Sequence, residues 1–184
     1  MKNELILTES QNLAVITLKP KGGDTHKLPN KRPISLMCCD YKILSKIIAN
    51  RFKMVIPEVI SKEQFCCPGR TKAFDRINHT FLFKSMEKMG FNRNVIDLIK
   101  LFCLNKKSCL EINGNILVAF NIGRGIRQGC PLSMLIYVIF KEALYKYIKS
   151  CSTIKSLPLP NDNIIKISGD ADDTSLFTRC CCLV

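Results

Sequence analysis

The chain has 184 residues, with 28 Lys and Arg against 15 Asp and Glu and a formal net charge of +13. That length bounds it to one domain, or one and a part, and an apolar content of 47% suffices for a buried core. No apolar run is long enough to span a bilayer. The charge excess points to a polyanionic partner, nucleic acid first, ahead of a merely basic and soluble surface.

The opening stretch, Met1 to Leu13, carries Lys2, Glu4 and Glu9 and no apolar block ending in a small-residue cleavage site. It predicts no signal peptide and an intracellular protein, in nucleus or cytoplasm, neither secreted nor membrane-bound. Leu13 to Leu18 is a compact apolar run and reads as a strand. Pro20, Gly22, Gly23 and Pro29 then mark a loop made basic by Lys19, Lys21, Lys27, Lys31 and Arg32. Asp40 is placed to cap a helix from Tyr41, whose predicted buried face is Leu44, Ile47, Ile48, Phe52 and Val55 and whose predicted stop is Pro57. Asp75 is placed to cap a second helix, with Phe81, Leu82, Met86 and Met89 inward and Gly90 as its stop. A third helix is expected over Val95 to Phe102. Asn113-Gly114 lies between two apolar runs within Cys109 to Phe120, a strong hairpin signal because both residues tolerate positive φ. Pro131 to Ile148 reads as a helix. Ile164 to Phe177 alternates apolar and polar residues around Ala171-Asp172-Asp173, which predicts a hairpin with carboxylates at its tip. Strands and helices mix without strict alternation, so the expected class is α+β.

Eleven cysteines raise the question of zinc or disulfides. They fall at 38-39, 66-67, 103, 109, 130, 151 and 180-181-182, and no pair has the two-residue gap that lets two thiolates fold back onto one ion. His26 and His79 have no neighbouring ligand pair. An odd count without a signal predicts free thiols.

The sharpest motif is Arg124-Gly125-Ile126-Arg127-Gln128-Gly129-Cys130-Pro131-Leu132-Ser133. Two glycines allow close approach of backbone, two arginines bring positive charge, and a helix start follows, where phosphate is attracted. Asp172 and Asp173 are adjacent; on a straight strand they point to opposite faces, so a tight turn is needed for both to approach one cation.

RGIRQGCPLS resembles the fourth-block motif of reverse transcriptases from non-LTR retrotransposons, the long interspersed element type. Other stretches are similar to the family in its own order: AVITLKPKGG, KRPISL, DYKILSKIIANRFKMVIPEVIS and PGR to the fingers, TKAFDRINHTFLFKSMEKMGF to the block around the first catalytic carboxylate, SCLEINGN to the following hairpin, and ADDTSLF to the paired carboxylates. Together they cover about residues 12 to 178. The resemblance implies a partial fingers-and-palm polymerase fold, with an antiparallel palm sheet packed on helices and the thumb absent. Its implied segments are 1–70 fingers-like, 71–178 palm-like and 179–184 an unrelated tail. It also implies RNA-directed DNA polymerisation by two-metal nucleotidyl transfer, with Mg²⁺ as cofactor and an RNA template, a DNA primer and deoxynucleoside triphosphates as partners.

Carried over position by position, the resemblance implies that Asp172 and Asp173 are catalytic and hold metal. Arg70, Phe74, Gln128 and Gly129 fall at nucleotide-binding positions, Phe74 against the sugar. Lys31, Arg32, Arg51, Arg124 and Arg127 fall at nucleic-acid contacts. The family reads D-x-x-K-A-F-D, and here Gly69 stands where the first Asp belongs, ahead of Lys72-Ala73-Phe74-Asp75. Two blocks abut, as if an intervening helix and strand were deleted. The expectation is a reverse transcriptase remnant with impaired catalysis; the alternative is a non-catalytic nucleic-acid-binding remnant or a relic.

Overall fold

The computed structural model describes residues 6–20, 24, 27, 30–61, 64–65, 72–158, 164–170 and 173–177. A short helix α1 (Glu9–Asn12), opened by a Thr8–Gln11 capping box, leads into strand β1 (Leu13–Pro20). β1 pairs antiparallel with β2 (Lys31–Met37) and parallel with β4 (Lys106–Ile112). β5 (Asn115–Ile116) and β6 (Phe120–Ile122) both add to β4, which completes a five-stranded sheet. Between β4 and β5, Asn113 and Gly114 have φ of 51° and 79°, the two positive values that a tight hairpin turn needs. This sheet takes strands from both sides of residue 70, and one apolar core likewise runs from Leu7 to Ile139.

Helix α2 (Cys39–Val59) differs from expectation at both ends and on its face. Its N-cap is Cys38; Asp40 sits inside the first turn, where a carboxylate still favours the positive end of the helix. Pro57 lies within the last turn rather than ending it, and the helix closes with Ile60 N–H on the Ile56 carbonyl at 3.0 Å. Tyr41, Ser45, Ala49 and Phe52 are buried, whereas Leu44, Ile47 and Val55 are exposed. Apolar residues occupy two faces of this helix. The face with the small side chains is the one that comes close to its neighbours.

A 3-10 helix (Lys72–Arg76) follows, and Asp75 lies in it. The true cap of α3 (His79–Lys88) is Asn78, whose side chain accepts from Phe81 N–H at 2.9 Å. Leu82 and Met86 point inward as expected, but Phe81 is exposed and His79 and Phe83 take inner positions. Gly90 closes the helix, with its N–H on Glu87 O and Phe91 N–H on Met86 O. Asn78→Ala should cost ~1 kcal/mol of stability, read as a lower urea midpoint at unchanged slope.

Helix α4 (Arg93–Cys103) extends the expected span by a residue or two at each end. Helix α5 (Ser133–Ser150) starts after Pro131, which stays in the preceding turn. Beyond α5, a two-strand ribbon joins β7 (Leu157–Pro158) to β8 (Ile164–Ile165). A separate sheet has the order β10 (Asp173–Leu176), β9 (Ile167–Asp170), β3 (Gln64–Phe65). It rests on a second, small core of Tyr145, Ile148 and Ile167. The observed architecture is a mixed α and β fold compatible with the one that the motifs imply.

Candidate functional site

The RGIRQG segment is folded onto three other parts of the chain. Gly125 N–H donates to Ile77 O at 2.8 Å and Ile126 N–H to Phe74 O at 2.9 Å, so the turn lies along the 3-10 helix. The Gly125 carbonyl accepts from His79 Nε2 at 2.7 Å, which places the imidazole proton on that nitrogen. At φ +81°, a Cβ on Gly125 would stand 2.9 Å from both Asp75 Cα and Phe74 O. On the other side, Ser35 N–H of β2 donates to Gln128 O at 3.0 Å, and a Cβ on Gly129 would meet Ser35 O at 3.2 Å. Both glycines are there because backbone lies against them. Ser133 Oγ donates to Arg127 O at 2.7 Å and joins the turn to α5.

Arg127 is buried, at 7% exposure. Its Nη2 donates to the carbonyls of Asn12 and Lys107, the latter at 2.8 Å, and its guanidinium lies 5.5 Å from the Tyr41 ring centre. Lys106 is buried beside it, at 2% exposure, with Nζ on Asn12 Oδ1 at 2.6 Å and on Leu101 O at 2.8 Å. Its ammonium lies 5.5 Å from the same ring. Burial, helped by the Arg127 charge, pushes the Lys106 pKa down to about 8, and burial lowers that of Arg127 as well. The same burial raises the Tyr41 hydroxyl far above its ordinary range and pushes the Cys103 thiol up to about 12. None of the ion pairs among the described residues involves Lys106 or Arg127, and Arg127 Nε and Nη1 have no hydrogen-bond partner. In this arrangement Arg127 ties α1, β4 and the turn together instead of facing solvent.

Above this pair opens a cleft of about 230 Å³. Arg124, Gln128 and Asp75 line it together with an apolar wall of Pro33, Phe102, Phe120 and Ile122. Arg124 is exposed and Gln128 half-buried. Burial raises the Asp75 carboxyl pKa.

The remaining positions singled out from the motifs are scattered. Phe74 is in the core, at 6% exposure, with its ring edge-on to Tyr137 at 5.3 Å. Lys31 and Arg32 are half-buried on β2, paired with Pro20 and Lys19 of β1, and Arg51 is exposed on α2. Arg70 and Asp172 lie outside the described residues. Asp173 opens β10 directly opposite Asp170 at the end of β9, so two residues, Ala171 and Asp172, separate the paired strands. β3 runs parallel to β9, with Gln64 beside Gly169 and Phe65 beside Asp170.

β3 is anchored by a residue the motifs do not mark. Glu142 of α5 is fully buried and accepts from Ser61 N–H at 3.0 Å, Ser61 Oγ at 2.7 Å and Gln64 Nε2 at 3.0 Å. Lys106 and Tyr41 are equally unmarked in the sequence. Each sits on an ordinary amphipathic element, and only tertiary folding brings them under the RGIRQG turn.

The family model for reverse transcriptase (RNA-dependent DNA polymerase) matches residues 19–179. The "Transposon TX1 uncharacterized 149 kDa protein" of Xenopus laevis is 32% identical over 209 residues, covering 97% of this chain and 16% of that protein. The aligned stretch is longer than the chain. Since 97% of 184 residues is about 178, about 31 of the 209 aligned positions have no residue here. The glycines and the arginine of the turn, the 3-10 helix it packs on and the carboxylate hairpin all fall inside the matched span. The chain therefore belongs to the reverse transcriptase (RNA-dependent DNA polymerase) family, with a transposon protein among its relatives.

Proposed function

We propose that the chain is a non-LTR retrotransposon reverse transcriptase domain that keeps nucleic-acid binding and has lost most of its polymerase activity. The observation that carries this reading is the surroundings of the carboxylate hairpin. Two-metal nucleotidyl transfer requires a cluster of carboxylate oxygens around hard cations. By the resemblance, two of these carboxylates are those of Asp172 and Asp173. The strand beside β9 carries Gln64 and Phe65 at the paired positions, and neither is a carboxylate. The family's first Asp has Gly69 in its place. By that resemblance the first metal-binding Asp has no counterpart here, and no catalytic step is derived through a Mg²⁺ pair. The unmatched positions of the transposon alignment support a deletion as the origin of the gap.

In this reading 1–70 is fingers-like and 71–178 palm-like. Nucleic acid, as template and primer, meets the exposed Arg51 and Arg124 and the half-buried Lys31 and Arg32. Gln128 and Gly129 lie beside the incoming nucleotide, and Arg127 contributes its charge from beneath. Phosphate contacts of this kind make affinity fall steeply with salt. No helix among the described residues is long and apolar enough to cross a membrane.

The test is primer extension on an RNA template with Mg²⁺ or Mn²⁺, run beside Asp172→Ala. The expected result is no extension above the level of the mutant, together with RNA binding that weakens as salt rises. Extension that disappears in Asp172→Ala would overturn the impairment and require another carboxylate to complete the site.

A further inference from the structure

We propose that the bare apolar face of α2 is a docking surface for a second copy of this chain, with the two helices packed antiparallel. The proposal goes beyond the polymerase reading and does not depend on it.

The first observation is the periodicity of that face. Asp40, Leu44, Ile47, Arg51, Met54 and Glu58 are spaced alternately four and three residues apart, the repeat of a coiled-coil seam. At about 100° per residue they share one side of the helix. Tyr41, Ser45, Ala49 and Phe52, which pack on the core, occupy another. Ile43, Ile47 and Met54 are 58%, 47% and 79% exposed, and Leu44 is exposed beside them. An apolar stripe along a helix differs from the single apolar residues scattered over an ordinary surface, and it marks a place for a partner.

The second observation is charge, and it selects the occupant. Asp40 and Arg51 are both exposed and stand about 16 Å apart along one helix, too far to pair with each other. None of the ion pairs among the described residues involves either of them. In a parallel pair of α2 helices each charge would meet its own like. An antiparallel pair with its twofold axis between Ser45 and Lys46 sets Arg51 of each copy against the partner's Asp40. The same register sets Leu44 against the partner's Ile47, and Ile47 against the partner's Leu44. Two ion pairs then flank an apolar centre. Sliding the helices by one heptad, to overlap them fully, would set Asp40 against Glu58, and like charges oppose that register. With two carboxylates to one guanidinium, the seam suits a protein partner better than a polyanion. Arg51 engaged by the partner's Asp40 is withdrawn from RNA. A single helix pair is smaller than a standard interface, so the dimer is a weak one.

The experiment is sedimentation equilibrium of the full chain, treated with nuclease, from about 5 to 500 µM. The primer-extension result has no bearing on it. The expected result is a monomer–dimer equilibrium with Kd in the range of roughly 10–100 µM. Arg51→Glu and Asp40→Lys should each weaken it at least about tenfold. An equimolar mixture of the two should return to the parent value, since both contacts in the mixed dimer are again between opposite charges. Ile47→Asn, at the apolar centre, should remove association. These positions are exposed, so each variant should keep the parent's far-UV circular dichroism, which is checked first. A parent that stays monomeric over the range would overturn the proposal. So would charge variants that dimerise like the parent, or a mixture of folded variants that gains nothing over its components. Association that appears only when RNA is added would overturn it too, because the strand and not the α2 face would then join the chains.

Discussion

Gly125→Ala is expected to destabilise the protein by ~3 kcal/mol, the largest effect of any single methyl added to the RGIRQG turn. Two costs combine. The backbone at φ +81° disfavours any residue with a Cβ. The new carbon would also stand 2.9 Å from Asp75 Cα and Phe74 O, both backbone atoms that no side-chain rotation can move. Relief would need the turn to lift from the 3-10 helix, which breaks the bonds to Ile77 O and Phe74 O and the His79 contact together. Urea unfolding followed by circular dichroism checks this. A midpoint within a few tenths molar of the parent would mean that the turn is not seated as described.

Glu142→Ala is expected to cost ~3 kcal/mol, because it strands the donors of Ser61 and Gln64 in a buried site. Glu142→Gln keeps an acceptor oxygen but turns an NH₂ toward another donor, so about half of that loss should remain. The damage should be local before it is global. β3 has only two residues and rests on β9, so amide exchange at Gln64, Gly169 and Asp170 should accelerate well before exchange in α4 or α5. Uniform acceleration across the chain would show that Glu142 supports the whole core and not this small sheet.

Signals carried by a few adjacent residues were legible in the sequence. Leu13–Leu18, Asn113-Gly114, the α4 span and the tail hairpin all follow from local propensity or turn chemistry and recur in the structure. The errors have one physical source: competition between equally good local choices. Asp75 and Asn78 are both capping residues within three positions, and the backbone uses Asn78. Leu44, Ile47 and Val55 make a convincing apolar face, but Ser45 and Ala49 allow the closer approach. The site was legible only as motifs. That Arg127 reaches back 115 residues to the Asn12 carbonyl, and shares Tyr41 with Lys106, is a tertiary fact with no periodicity to announce it.

The parallel pairing of β1 with β4 sets an order of events during synthesis. Leu13 lies beside Lys107, 94 residues further along the chain. At about 5–20 residues per second, some 5–20 s pass between making the two partners. Throughout that interval β1 offers one bare edge, closed on its other side only by β2. A nascent chain in this state is a template for strand addition by any neighbour, and its yield in a cell depends on what shields that edge until β4 arrives.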